Sequence, residues 1–215
     1  MEPDVNTEPR TGEPLVAIPV KGFGSAKARM APALTAAARA TLSRALASRT
    51  VEVARAAGAD PVVVTAEPEV IAWAAGLGAR VIAEEESLGC GLSGAAATAA
   101  QVAHRSGRPW LILHADLPLL QPAELAAAIR AAVAGSYILC PSYDGGTTGF
   151  GGRDTIEFAY GPLSFHHHLA RVGEARHVVH ATPGFALDVD SPADLAVAAG
   201  RPEGAWLAAL IDRRS

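Results

Sequence analysis

Only two lysines occur in this 215-residue chain, against 16 arginines, and both stand in one short segment, KGFGSAKARMAP. A glycine-containing loop of backbone N–H groups with compact ammonium charges suits a triphosphate. Lysine acts there as a flexible point charge, where arginine would impose a planar fork. Lys21, Gly22, Lys27 and Arg29 are the candidates in this segment. The spacing does not match GxxxxGK[ST], so a P-loop is excluded, and a solvated basic loop is the competing reading.

Carboxylates of the right kind lie elsewhere. Asp116 stands in HADLP, directly after an apolar run, where a carboxylate is costly unless it faces a cavity with a cation or hydrogen-bond donors. Asp188 and Asp190 stand two apart in LDVDSPADL, so extended backbone would aim both to one side. Magnesium takes one or two carboxylates with phosphate oxygens and waters, and these three aspartates could clamp it. The plainer alternatives are a turn-capping Asp116 and a helix cap at Asp190 or Ser191 before Pro192. His114 reads as a packing residue. A fourth region pairs DGGTTGFGG with YGPLSFHHHL. Its glycines permit close backbone approach, Thr147 and Thr148 add hydroxyls, and Ser164 reads as a helix N-cap able to face a second anion. His166, His167 and His168 are consecutive, so a helix would fan them out by ~100° each and a shared zinc is excluded.

The elements that would carry these residues alternate. LVAIPV (15–20), PVVVT (61–65), RVIA (80–83), WLILH (110–114) and YILCP (137–141) read as strands. Helices are predicted from Thr35 to a stop at Gly58, over 67–75, 92–104, 122–134 and 164–172, and from Pro192. DGGTTGFGG is expected as a glycine-rich loop or edge strand, and HVVH and FALDVD as late extended segments. Strands and helices at this spacing predict an α/β fold: one three-layer, Rossmann-like domain over 14–215, a mostly parallel sheet with helices on both faces. Ligands of such sheets gather beyond the C-terminal strand ends, where the candidates fall.

Composition narrows the classes. Half the residues are hydrophobic, 5% are aromatic and the net charge is −4. That supports a full aliphatic core and gives no positive field for nucleic acid. The apolar run at Leu15 is too short for a signal or membrane span, and residues 1–13 read as a disordered tail. Cys90 and Cys140 lack metal or disulfide spacing, consistent with a cytoplasmic protein.

Four segments in register, VKGFGSAKARMAP, ADLPLL, GPLSFHHHL and LDVDSPADL, resemble the 2-phospho-L-lactate guanylyltransferase family of coenzyme F-420 biosynthesis. That family includes phosphoenolpyruvate guanylyltransferases and belongs to a larger MobA-like nucleotidyltransferase group. The resemblance implies GMP transfer from GTP to a small phosphorylated acid, phosphoenolpyruvate before 2-phospho-L-lactate. It gives Lys21, Lys27 and Arg29 to the GTP phosphates, with Gly22, Leu92 and Ser93 beside the nucleotide. Asp116, Asp188 and Asp190 would hold Mg2+, and Thr148, Gly161 and Ser164 the acceptor; Lys21, Lys27 and Asp116 would be catalytic. The chain departs from the family in GLSGA, where Ser93 replaces an asparagine, and in GTTGFGG, which lacks the usual apolar residues. A molybdopterin or sugar 1-phosphate acceptor, and a non-catalytic nucleotide-binding protein, are the alternative readings. Expected partners are GTP and the phosphorylated acid, with no nucleic acid or membrane. A homodimer and hand-off of the labile anhydride product to a downstream transferase are further expectations.

Overall fold

The computed structural model describes residues 13–25, 27–85 and 88–212. The tail expected over 1–13 therefore lies, apart from Glu13, outside the described residues, as do Ala26, Glu86 and Ser87 of the two site loops. In chain order the elements are β1 (Leu15–Pro19), α1 (Ala36–Ala56), β2 (Pro61–Thr65), α2 (Pro68–Gly76), β3 (Arg80–Ala83), α3 (Gly91–Arg105), β4 (Trp110–Leu113) and α4 (Pro122–Val133). Then come β5 (Tyr137–Pro141), β6 (Thr147–Gly152), α5 (Ser164–Val172), β7 (His177–Val179), α6 (Pro183–Ala186), α7 (Pro192–Ala199) and α8 (Ala205–Asp212). Among the described residues no helix is long and apolar enough to cross a membrane.

The seven strands form one sheet in the order β3-β2-β1-β4-β6-β5-β7, parallel except for β6, which runs antiparallel to both neighbours. Strand alternation sorts the core into two layers. Val16 and Ile18 face α1, α2 and α4, whereas Leu15 and Ala17 face the alanine stripe of α3 and the inner side of α5. The small alanines let α3 lie close to the sheet. Between β1 and β4 the strand order reverses, because the chain winds outward through β2 and β3 and then returns to the other side of β1. A crevice opens at such a switch point, and the loops after β1 and β4 both emerge into it.

Residues 144–146 of the glycine-rich segment lie in a turn, but from Thr147 on it is an inner strand and not an edge. As β6 it sits between β4 and β5, and its glycines serve packing. A Cβ on Gly151 would come 2.6 Å from Ile138 and 3.0 Å from the Trp110 carbonyl; on Gly152 it would meet the Tyr137 ring at 2.6 Å. Large neighbours fill the room these residues leave, which composition alone could not show. Gly151→Ala is expected to cost about 1–3 kcal/mol through overpacking, read as a lower denaturant midpoint with an unchanged circular dichroism spectrum. FALDVD also differs from expectation: its first residues close the single turn of α6, and only the stretch from Leu187 is extended.

A third apolar cluster matters most for the site. Met30, Leu42, Leu46, Leu119, Val189, Leu195, Ala198 and Leu207 tie the loop after β1, α1, the loop after β4, α7 and α8 together. Three chain-distant segments are thereby brought to one end of the sheet.

Candidate functional site

A cavity of about 270 Å³ lies at the switch point, lined among others by Lys21, Phe23, Lys27, Leu92, His114, Asp116, Asp188 and Asp190. Each wall has a local cause. Met30 is fully buried and anchors the turn that carries Lys27, which adopts the left-handed conformation at φ 57°, ψ 44°. That conformation costs a non-glycine residue about 1–2 kcal/mol and persists only where surroundings hold it. Here the hold is electrostatic: the Lys27 ammonium donates to Asp116 Oδ2 and to Asp190 Oδ1, the latter at 3.1 Å.

Val189 is fully buried, so on extended backbone its neighbours Asp188 and Asp190 turn the other way, into the cavity. The Val189 N–H donates to the Asp116 carbonyl at 3.2 Å, holding the two carboxylate segments side by side. Ser191, not Asp190, is the N-cap of α7, and Asp194 closes the capping box by accepting from the Asp190 and Ser191 N–H groups. Relieved of capping, both aspartates are available to the cavity. Asp194→Ala is expected to cost about 1–2 kcal/mol and to weaken cation binding, because it frees the Asp188–Asp190 segment; chemical denaturation and calorimetric titration measure the two effects.

The charges are strongly coupled. Burial works against the Lys27 ammonium, yet Asp116 and Asp190 outweigh it and raise its pKa. Burial likewise pushes Asp116 up, but Lys27 and His114 more than reverse this and hold it below the usual carboxylate range. Asp188 has no such partner among the described residues: burial, then the charges of Asp116 and Asp190, push its pKa up to about 7. Burial lowers the His114 pKa, with Asp116 pulling the other way and Lys27 adding to the effect of burial. Ligand atoms of His114, Asp116 and Asp188 lie within 4.8 Å of one another, a donor set that can hold a divalent metal.

With that geometry in place, the comparisons are informative. The profile described as "Guanylyl transferase CofC like" matches residues 15–199. The chain belongs to this family. A phosphoenolpyruvate guanylyltransferase of Thermomonospora curvata is 38% identical over 204 residues, covering 91% of this chain and 87% of that protein. Among solved structures, a chain from Desulfovibrio desulfuricans G20 assigned to the nucleotide-diphospho-sugar transferases superposes with a TM-score of 0.74 at 18% identity, covering 95% of this chain and 98% of that one. A Mycobacterium tuberculosis H37Rv protein solved in complex with manganese gives a TM-score of 0.54 at 20% identity, covering 86% and 97%. The fold is that of the nucleotidyltransferases.

In this CofC-like protein the predicted residues divide into three groups. Lys21, Lys27, Leu92, Asp116, Asp188 and Asp190 share the cavity, and Lys21 Nζ would be 3.6 Å from a Cβ on Gly91, at the N-terminus of α3. Gly22 is buried near Glu67 and Glu69, and a Cβ there would stand 3.2 Å from Glu69 Oε1. Arg29 is exposed and outside the cavity lining. Ser93 accepts from the Tyr160 N–H at 3.1 Å, tying α3 to the loop before α5.

The three acceptor candidates are less uniform. Thr148 is buried and its hydroxyl lies 2.7 Å from the Phe185 carbonyl, a bond internal to the protein. Ser164 is buried beside Thr147, and Leu163, not Ser164, is the N-cap of α5; Gly161 is exposed. Of the three histidines, only His168 turns inward, where its Nε2 accepts from the Ala159 N–H and burial lowers its pKa to about 4. His166 and His167 stay exposed, as the helical fan predicts.

His114 was assigned to packing by sequence reasoning, yet it lines the cavity with Nδ1 4.0 Å from Asp116 Oδ1. Its signal was the same two-residue spacing that paired Asp188 with Asp190, since positions 114 and 116 directly continue β4.

Proposed function

We propose that this protein transfers GMP from GTP to the phosphate of a small phosphorylated acid, phosphoenolpyruvate in first place, releasing pyrophosphate in the cytoplasmic synthesis of coenzyme F-420. The observation that carries the reading is the convergence of both lysines of the chain with Asp116, Asp188 and Asp190 in one crevice of a CofC-like fold. An acceptor phosphate oxygen would attack the α-phosphorus in line. The bond from that phosphorus to the bridging oxygen breaks, and its electron pair leaves with pyrophosphate. The acceptor is already ionised near neutral pH, so no side-chain base is required.

Lys21 and Lys27 would offset charge building on the leaving pyrophosphate. Asp116 and Asp188, with Asp190 beside them, would hold Mg2+. The fit is visible in Asp116 Oδ1, which is buried without a hydrogen-bond partner among the described residues. When bound, Mg2+ supplies Lewis-acid stabilisation of the reacting phosphates. Thr148, Gly161 and Ser164 would shape the acceptor end.

Pyrophosphate release from GTP and Mg2+ tests the reading, with phosphoenolpyruvate, 2-phospho-L-lactate, 3-phosphoglycerate or no acceptor, and with ATP and CTP as controls. Release is expected only with GTP and phosphoenolpyruvate together. GTP binding without release for any acid would overturn the acceptor class. A homodimer and hand-off of the anhydride to a downstream transferase belong to the same reading. Sedimentation tests the first, and coupled against separated yields test the second.

A further inference from the structure

We propose that His114 is a nitrogen ligand of the divalent cation held by Asp116 and Asp188, and that it shifts the preference of this site from Mg2+ toward first-row transition ions such as Mn2+. The inference rests on the reading that these carboxylates bind a cation.

The two oxygens of Asp116 face different partners. Oδ2 accepts from Lys27, which also holds Asp190, so that side of the carboxylate already carries a positive charge. Oδ1 is buried, has no hydrogen-bond partner among the described residues, and lies 4.0 Å from His114 Nδ1. Two ligands bound at about 2.1 Å to one octahedral ion stand ~3.0 Å apart when adjacent and ~4.2 Å apart when opposite, so a rotation of either side chain brings this pair into range of a shared cation. Asp188 supplies the third donor. Of the three aspartates expected to clamp the cation, Asp190 pairs with Lys27 at 3.1 Å, and His114 would join them as a further donor.

The imidazole is prepared for this role. A neutral imidazole carries a lone pair on one ring nitrogen that can bind a metal. Its ring packs on Tyr160, with centroids 5.5 Å apart, and its Nε2 is buried without a hydrogen-bond partner among the described residues. Magnesium favours oxygen ligands and retained waters, whereas an imidazole favours transition ions.

Mn2+ alone, added to the full chain without nucleotide, gives the test. Pulsed electron paramagnetic resonance is expected to show 14N coupling from a directly bound ring nitrogen in the wild type. His114→Gln should remove that coupling, keep Mn2+ bound, weaken its affinity about tenfold or more, and lower the Mn2+-to-Mg2+ affinity ratio. His114→Asn serves as a second variant, and melting curves check that each is folded. Bound Mn2+ with no 14N coupling in the wild type, or coupling that survives in either variant, overturns the assignment of His114 while leaving the carboxylate site standing. Failure of the wild type to bind Mn2+ or Mg2+ overturns the inference together with the metal part of the proposed function.

Discussion

Asp116→Asn is expected to slow GMP transfer by at least about a thousandfold with the fold intact. Three roles meet on this residue: one carboxylate oxygen holds Lys27, the other, without a hydrogen-bond partner among the described residues, lies 4.0 Å from His114 Nδ1, and the main-chain carbonyl holds Val189. The amide keeps the shape and the carbonyl but loses the charge on which Lys27 and a cation both depend. Removing one partner of a buried ion pair can cost about 3–5 kcal/mol. Here Asp190 remains 3.1 Å from the ammonium, so the loss should lie at or below the lower end of that range. Single-turnover rates separate chemistry from binding, and circular dichroism follows the fold. Near-wild-type turnover would remove Asp116 from the reacting site. Asp190→Asn should be milder, because the Asp190 side chain is 48% exposed and water screens it.

Affinity for a divalent cation is expected to fall about 50-fold from pH 7 to pH 5, since a cation that displaces one proton loses affinity as the deprotonated fraction falls, from about half at the pKa toward tenfold per pH unit below it. The group responsible is Asp188, whose pKa is raised to about 7 by burial and by the charges of Asp116 and Asp190. The sign for stability runs opposite to that of an ordinary paired carboxylate. Between about pH 4 and pH 7 the folded chain retains a proton on Asp188 that the unfolded chain has lost. The contribution of Asp188 therefore declines as pH rises through this window and is flat above it. Asp116, with its pKa lowered, contributes stability above the usual carboxylate pKa and loses it as pH falls through its own value. Calorimetric titration of Mn2+ at pH 5, 6 and 7 measures the effect. Asp188→Asn should bind weakly with little pH dependence, and a flat profile in the wild type would show that Asp188 carries no proton to displace.

Local patterns alone defined most of the framework. The continuous apolar runs LVAIPV and PVVVT, the four-residue stripe of α1 ending at Gly58, and the Ser191-Pro192 start of α7 each follow from local patterns within a few residues. Lysine placement and the aspartates after strand ends likewise marked the cavity, because chemistry at a switch point needs those residue types there. Three features depended on contacts between distant segments. Burial of β6 between β4 and β5 makes its glycines packing residues, a role set by Trp110, Tyr137 and Ile138. Lys27 meets Asp116 and Asp190 across 89 and 163 residues of chain, and that meeting raises the Lys27 pKa and lowers that of Asp116. His114, expected from the sequence to pack, is placed by the fold on the cavity wall with Nδ1 4.0 Å from Asp116 Oδ1. Periodicity reports which side of an element a residue occupies. Only the folded chain decides which residue stands opposite, and charge interactions that fall off with distance and burial follow from that.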